Sequence, residues 1–132
     1  MKRRILIVED DPSYRELLGA WLEADGYEVV LADTLEQGFV NIAAEPIPEA
    51  VLLDIHLGRK NGLLLAHWAS KQKHLAHVQI IAITGDTSLR DLKGARDAGC
   101  HACLIKPFEL NVLRELLANL PSHPVGQQSE IS

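Results

Sequence analysis

The chain has 132 residues, 47% of them hydrophobic and 23% charged, which is enough apolar material for the single core of one ordinary domain. Its 18 Asp and Glu outnumber 13 Lys and Arg for a net charge of -5, which excludes the basic face that neutralising nucleic-acid phosphates demands. No apolar run approaches the roughly 18 residues of a membrane span, and after Arg4 only four aliphatic residues precede Glu9, too few for a signal peptide, so the expected location is the cytoplasm.

Five short aliphatic runs, at 5–8, 29–31, 51–53, 80–83 and 103–105, alternate with longer stretches of helical period. Continuous runs of this kind suit strands buried on both faces. After the first run, Tyr14, Leu17, Leu18, Trp21 and Leu22 fall on one face of a helix, with Asp11 and Pro12 as its N-cap and first-turn proline and Gly26 as its stop. Leu35, Phe39, Ile42 and Ala43 repeat the spacing in a second helix, for which Asp33 and Glu36 suggest a capping box. Leu63, Leu64, Leu65, Ala66 and Trp68 mark a third helix. Leu89, Leu92 and Arg96 mark a fourth that ends at Gly99, and Leu113, Leu116, Leu117 and Leu120 a fifth. Strict alternation with short connections predicts parallel strands, right-handed crossovers and helices on both faces of one sheet, a doubly wound α/β domain over residues 1–120. Residues 121–132 have no periodicity and read as a flexible tail or linker.

In an open parallel sheet, ligands bind beyond the carboxyl ends of the strands. Here those ends carry Glu9, Asp10 and Asp11 after the first run, Asp54 after the third, Thr84 after the fourth and Lys106 after the fifth. Singly, each has an ordinary explanation as a cap or a solvated loop residue. Together, several carboxylates facing one lysine repel one another unless a hard divalent cation sits among them, which points to magnesium. Cys100 and Cys103 form a C-x-x-C, but a redox pair of that spacing opens a helix, whereas this one runs into an apolar segment read as strand. Positions three apart in a strand point to opposite faces roughly 10 Å apart, so ordinary packing is expected.

The blocks I-L-I-V-E-D-D at 5–11, L-L-D-I-H-L-G-R-K-N-G at 52–62, I-A-I-T-G at 81–85 and L-I-K-P-F at 104–108 resemble, in order and spacing, the receiver domains of two-component response regulators. The resemblance runs from Arg3 to the neighbourhood of Leu120. It implies a five-stranded flavodoxin-like (βα)5 fold of strand order 2-1-3-4-5, with Asp10 beside Asp54 at the topological switch point. It also implies that Asp54 is the phosphoacceptor and that Glu9, Asp10, Asp54 and the backbone carbonyl of His56 hold Mg2+. Thr84 and Lys106 would contact the phosphoryl group, and a cis peptide before Pro107 would aim the ammonium inward. The chemistry agrees, because aspartate is a poor nucleophile toward an anionic donor and needs a cation to join the attacking and transferred oxygens.

By the same resemblance the phosphoryl donor is a sensor histidine kinase or a histidine phosphotransfer protein. Output would run through the face of helix four, strand five and helix five, with a homodimer left open. Such a protein promotes its own aspartyl phosphorylation and dephosphorylation and is not a classified enzyme. It can also be the receiver module of a hybrid kinase or of a longer regulator. Gly58 stands where the family carries proline, which is expected to loosen the loop. Cys103 replaces the family's Tyr or Phe, a ring that reports the switch by rotating, so coupling is expected to pass through the loop after Thr84 and the fourth helix, which Gly94 makes easier to move. His56 and Asp86 are read as a pair that flanks the path of water to the aspartyl phosphate.

Other classes fit less well. A Rossmann-type nucleotide site needs a Gly-rich turn where Glu9, Asp10 and Asp11 would repel phosphates. An aspartyl phosphatase wants D-x-D at the acceptor, but His56 takes the third place. A degenerate receiver that only binds partners has no reason to keep the complete set of acidic residues, Thr84 and Lys106.

Overall fold

A computed structural model describes residues 2–85 and 88–119; the expectations for Asp86 and for the tail at 121–132 lie outside the described residues. In chain order the elements are β1 (Arg4–Val8), α1 (Pro12–Ala24), β2 (Glu28–Ala32), α2 (Leu35–Ile42), β3 (Ala50–Asp54), β4 (His56–Leu57), β5 (Lys60–Asn61), α3 (Leu63–Ser70), β6 (Gln79–Thr84), α4 (Leu89–Asp97), β7 (Ala102–Ile105) and α5 (Leu110–Ala118). The main sheet runs β2-β1-β3-β6-β7 with every neighbouring pair parallel. Counted as sheet strands this is the order 2-1-3-4-5, the doubly wound flavodoxin-like arrangement. Each aliphatic run lies within its strand, and Asp54 and Thr84 are the last residues of β3 and β6.

Side-chain alternation sorts the core into two layers. Ile5 and Ile7 of β1 pack with Leu18 and Leu22 of α1 and Leu113 and Leu117 of α5. Leu6 and Val8 pack on the other face with Leu35 and Ile42 of α2 and Leu65 and Ala66 of α3. At about 1.5–3 kcal/mol for each such side chain taken out of water, these layers hold β3 rigidly at the centre, buried at every residue.

Local signals set where the helices begin and end. Asp11 Oδ1 accepts the N–H groups of Ser13 and Tyr14 at 3.0 and 3.5 Å, Pro12 opens α1, and Gly26 follows its end at φ +95°. The second helix corrects its expected cap: Thr34 takes the extended N-cap conformation and its Oγ1 accepts Gln37 N–H at 3.1 Å. The helix therefore starts one residue too late for a box between Asp33 and Glu36, and Glu36 pairs with Lys60.

Two glycines shape the loop beyond the central strand. Gly58 lies at φ +62° in the turn between β4 and β5, and its N–H donates to Asp10 Oδ2 at 2.9 Å. Proline can neither adopt that φ nor donate there, so this contact between the loop and Asp10 depends on Gly58. Gly62 donates its N–H to the Ile55 carbonyl at 2.6 Å, and any Cβ on it would overlap the Asp54 carbonyl oxygen. Cys100 lies in the turn ahead of β7, where the two-residue period of a strand does not yet apply. Contrary to the expectation of opposite faces, both free thiols pack against Ile55, Ala82 and Ala95. Burial pushes the Cys100 thiol up to about 12, which suits packing rather than redox chemistry.

Gly62→Ala is expected to destabilise the domain by about 1–3 kcal/mol, the usual cost of forcing atoms into filled space. An unchanged urea midpoint would contradict this close approach. A second expectation concerns His101, whose Nδ1 accepts the Ile80 N–H at 3.0 Å and whose pKa burial lowers. The unfolded imidazole takes a proton near pH 6.5 while the folded one resists it, so this part of the stability is complete above about 6.5 and is lost as pH falls below it. Between pH 8 and pH 5 the wild type should therefore lose more stability than His101→Asn; equal losses in chemical unfolding would contradict it.

Candidate functional site

Because β1 and β3 are neighbours, the residues beyond their carboxyl ends meet. Glu9, Asp10 and Asp54 each offer a carboxylate oxygen within 4.8 Å of the others. Glu9 and Asp54 are buried, whereas Asp10 is exposed. Backbone donors hold each carboxylate: Asp11 N–H reaches Glu9 Oε2 at 3.1 Å, His56 N–H reaches Asp54 Oδ1 at 3.0 Å, and Gly58 N–H reaches Asp10. Asp11 turns away into its cap on α1, leaving Glu9 and Asp10 as the acidic pair.

Lys106 directly follows the end of β7, and its peptide bond to Pro107 is cis. Its Nζ lies 2.8 Å from Glu9 Oε1, 3.3 Å from Asp54 Oδ2 and 4.6 Å from the centre of the Tyr14 ring. The Tyr14 ring meets Phe108 edge to face, with centroids 6.0 Å apart. Burial alone would lower the Lys106 pKa, but the Glu9 and Asp54 carboxylates hold it raised. Burial pushes the Glu9 carboxyl up to about 7, and its contact with Asp54 adds to this against the opposing pull of Lys106. One ammonium shared between two carboxylates cannot neutralise both.

A magnesium ion fits this donor set. Buried Glu9 Oε1 receives no properly directed hydrogen bond, and the Lys106 ammonium beside it makes only an ionic contact. Oxygen ligands so close together, one buried atom short of a partner and an open side at Asp10 suit a hard divalent cation that keeps some of its waters. The His56 imidazole is not among these groups, and the family resemblance implies a metal contact for its backbone carbonyl only.

The Thr84 side chain is turned to a residue that sequence reasoning did not single out. Its hydroxyl donates to Asp91 Oδ2 at 2.9 Å, and His56 Nε2 meets the same oxygen at 2.7 Å. His56 was expected beside Asp86; among the described residues its side-chain partner is Asp91, in the first turn of α4. The signal that could have found Asp91 is the S-L-R-D spacing of residues 88–91, which suits a capping box. Asp91 N–H donates to Ser88 Oγ at 3.2 Å, as in such a box, but the carboxylate faces inward onto Thr84. Burial raises the Asp91 pKa, and the hydrogen bonds from His56 and Thr84 outweigh it and leave the pKa lowered. Cys103, half-buried on β7, packs under α4.

The model of the response regulator receiver domain matches residues 5–118. The polar-differentiation response regulator DivK of Brucella ovis is 30% identical over 110 residues, covering 83% of this chain and 89% of DivK. Among solved structures, a CheY-like receiver domain protein from Methanospirillum hungatei JF-1 matches with a TM-score of 0.82 at 29% identity over the whole of both chains. The receiver domain of a sensor histidine kinase from Pseudomonas aeruginosa PAO1, which has a magnesium ion coordinated in its active-site cleft, matches at TM-score 0.82 and 28% identity over 91% of this chain and 98% of that one. The strand order, the acidic cluster with its lysine and these matches lead to one assignment: the chain belongs to the response regulator receiver domain family.

Proposed function

We propose that this receiver domain is a phosphorylation switch that takes a phosphoryl group onto Asp54 from a phosphohistidine of a sensor histidine kinase or histidine phosphotransfer protein. The observation that carries this reading is the Asp54 carboxylate at the end of the central strand, 3.3 Å from the Lys106 ammonium and within 4.8 Å of two further acids. A carboxylate oxygen of Asp54 attacks phosphorus while the phosphorus–nitrogen bond of the donor breaks and its electron pair returns to the imidazole. Lys106 offsets the negative charge on the transferred group, and Thr84 supplies a hydroxyl donor. Glu9, Asp10, Asp54 and the His56 carbonyl would hold magnesium, which would offset the negative charge gathered at the site during transfer. Hydrolysis of the acyl phosphate by water restores Asp54, so the domain promotes both halves of its own cycle without being a classified enzyme.

The similarity to DivK, of which 89% is covered, supports the reading as a response regulator. The similarity to the receiver of a Pseudomonas kinase supports a second reading in which the same acceptor serves inside a hybrid kinase. Output through α4, β7 and α5 is supported by Leu89, 82% exposed at the start of α4. Among the described residues no helix is long and apolar enough to cross a membrane, and we place the domain in the cytoplasm with its donor.

Treatment with acetyl phosphate and magnesium should add one phosphoryl group to the wild type, read by intact mass, and none to Asp54→Asn or after chelation of the metal. The same gain in Asp54→Asn would show that the acceptor lies elsewhere.

A further inference from the structure

Thr84 is fully buried at the end of β6, and its hydroxyl has a single proton to donate. That proton is committed to Asp91 Oδ2. Asp91 is itself buried, with 7% of its surface exposed, and two donors converge on the same carboxylate oxygen. An ionised carboxylate can only accept, so the direction of the Thr84 bond follows from the chemistry. Phosphoryl oxygens are acceptors too. Thr84 therefore cannot serve Asp91 and a phosphoryl group on Asp54 at once.

We propose that Asp91 is a positioning residue that holds Thr84 in reserve by competing with the phosphoryl oxygens for its one hydroxyl proton, and that surrender of this bond carries phosphorylation from Asp54 to α4. The inference rests on the proposed acceptor chemistry at Asp54. It gives the domain a route to α4 that needs no rotating ring. Asp91 sits in the first turn of that helix, anchored to Ser88 through its backbone N–H, and it is bonded directly to a residue at the phosphorylation site. Cys103, where the family's ring would stand, lies in the small cluster of Ile55, Ala82 and Ala95 under the same helix. When Thr84 leaves, the carboxylate's remaining side-chain partner among the described residues is His56, which is more than half exposed, and the first turn of α4 loses its bond to β6.

The test is a double-mutant cycle on the rate of phosphorylation by acetyl phosphate, with Asp54 occupancy read by intact mass. Removing the competitor in Asp91→Ala should speed phosphorylation by about fivefold, the worth of one hydrogen bond no longer to be broken. Asp91→Ser, whose side chain is too short to reach Thr84, should match it, which keeps the test readable if either variant is poorly folded. Asp91→Asn, which keeps an acceptor oxygen in place, should stay near the wild type. In a Thr84→Val background, where there is no proton to compete for, Asp91→Ala should change nothing. A purely structural role for Asp91 would slow the reaction in every background.

Hydrogen exchange then reads the coupling. At matched Asp54 occupancy, the amides of α4 should respond to phosphorylation in the wild type and not in Asp91→Ala. The proposal is overturned by a rate in Asp91→Ala and Asp91→Ser no faster than the wild type. It is equally overturned by the same acceleration in the Thr84→Val background, or by an undiminished α4 response in Asp91→Ala. If the wild type takes no phosphoryl group on Asp54, the acceptor reading fails first and this inference with it.

Discussion

Three carboxylates and one ammonium share the carboxyl ends of β1, β3 and β7, and the rest of the site is arranged around that crowding. Two like charges about 4 Å apart repel by about 4 kcal/mol at an effective dielectric near 20, more than a lone surface contact returns. Lys106 relieves part of this by standing between Glu9 and Asp54, and three backbone N–H groups relieve more, one on each carboxylate. Burial adds to the strain at Glu9: it pushes the carboxyl up to about 7, and one oxygen there has no directed hydrogen bond. A protein selected for stability alone has no reason to keep such a cluster; a site that must take up a cation and a phosphoryl group has one.

The fold supplies the rigidity that keeps these groups together. Asp54 ends a strand buried on both faces, and Gly62 folds back so closely that only a residue without Cβ clears the Asp54 carbonyl. Gly58 uses a left-handed backbone conformation to present its N–H to Asp10. Tyr14 of α1, braced by Phe108, supplies the ring face beneath the Lys106 ammonium. The acceptor is thus held from three stretches far apart in sequence, 9–14, 54–62 and 106–108, while the hydroxyl of Thr84 is held back by Asp91.

The five strands, their order and the acidic residues at their ends were legible because each rests on a strong local signal or on the spacing of whole blocks. Continuous aliphatic runs such as 51–53 have no good alternative to a buried strand, and Asp11 with Pro12 marks a helix start on its own. What stayed hidden depends on contacts between segments. Asp91 looks like a first-turn acid facing water, and only the packing of α4 over β6 turns its carboxylate onto Thr84. Gly62 carries no signal of its close approach, since its φ is ordinary and the clash is with a carbonyl eight residues back. The cap of α2 was misread by one residue because Asp33 and Thr34 are both good capping residues, and chain entry from β2 decides between them.

The departures from the family pattern also read differently with the structure in hand. Gly58 adds a hydrogen bond that proline could not make, so the loop is tied to the acidic pair. The small side chain at Cys103 leaves α4 in contact with the sheet through Ala95 and through Asp91. The central claim is that the carboxylate cluster is strained by its own charge and relieved by a divalent cation. Urea unfolding of wild type and Glu9→Gln at pH 8, in chelator and in excess magnesium, tests it most directly. Glu9→Gln is predicted to be more stable than the wild type in chelator and less stable in magnesium; the same order of stability in both conditions would contradict the account.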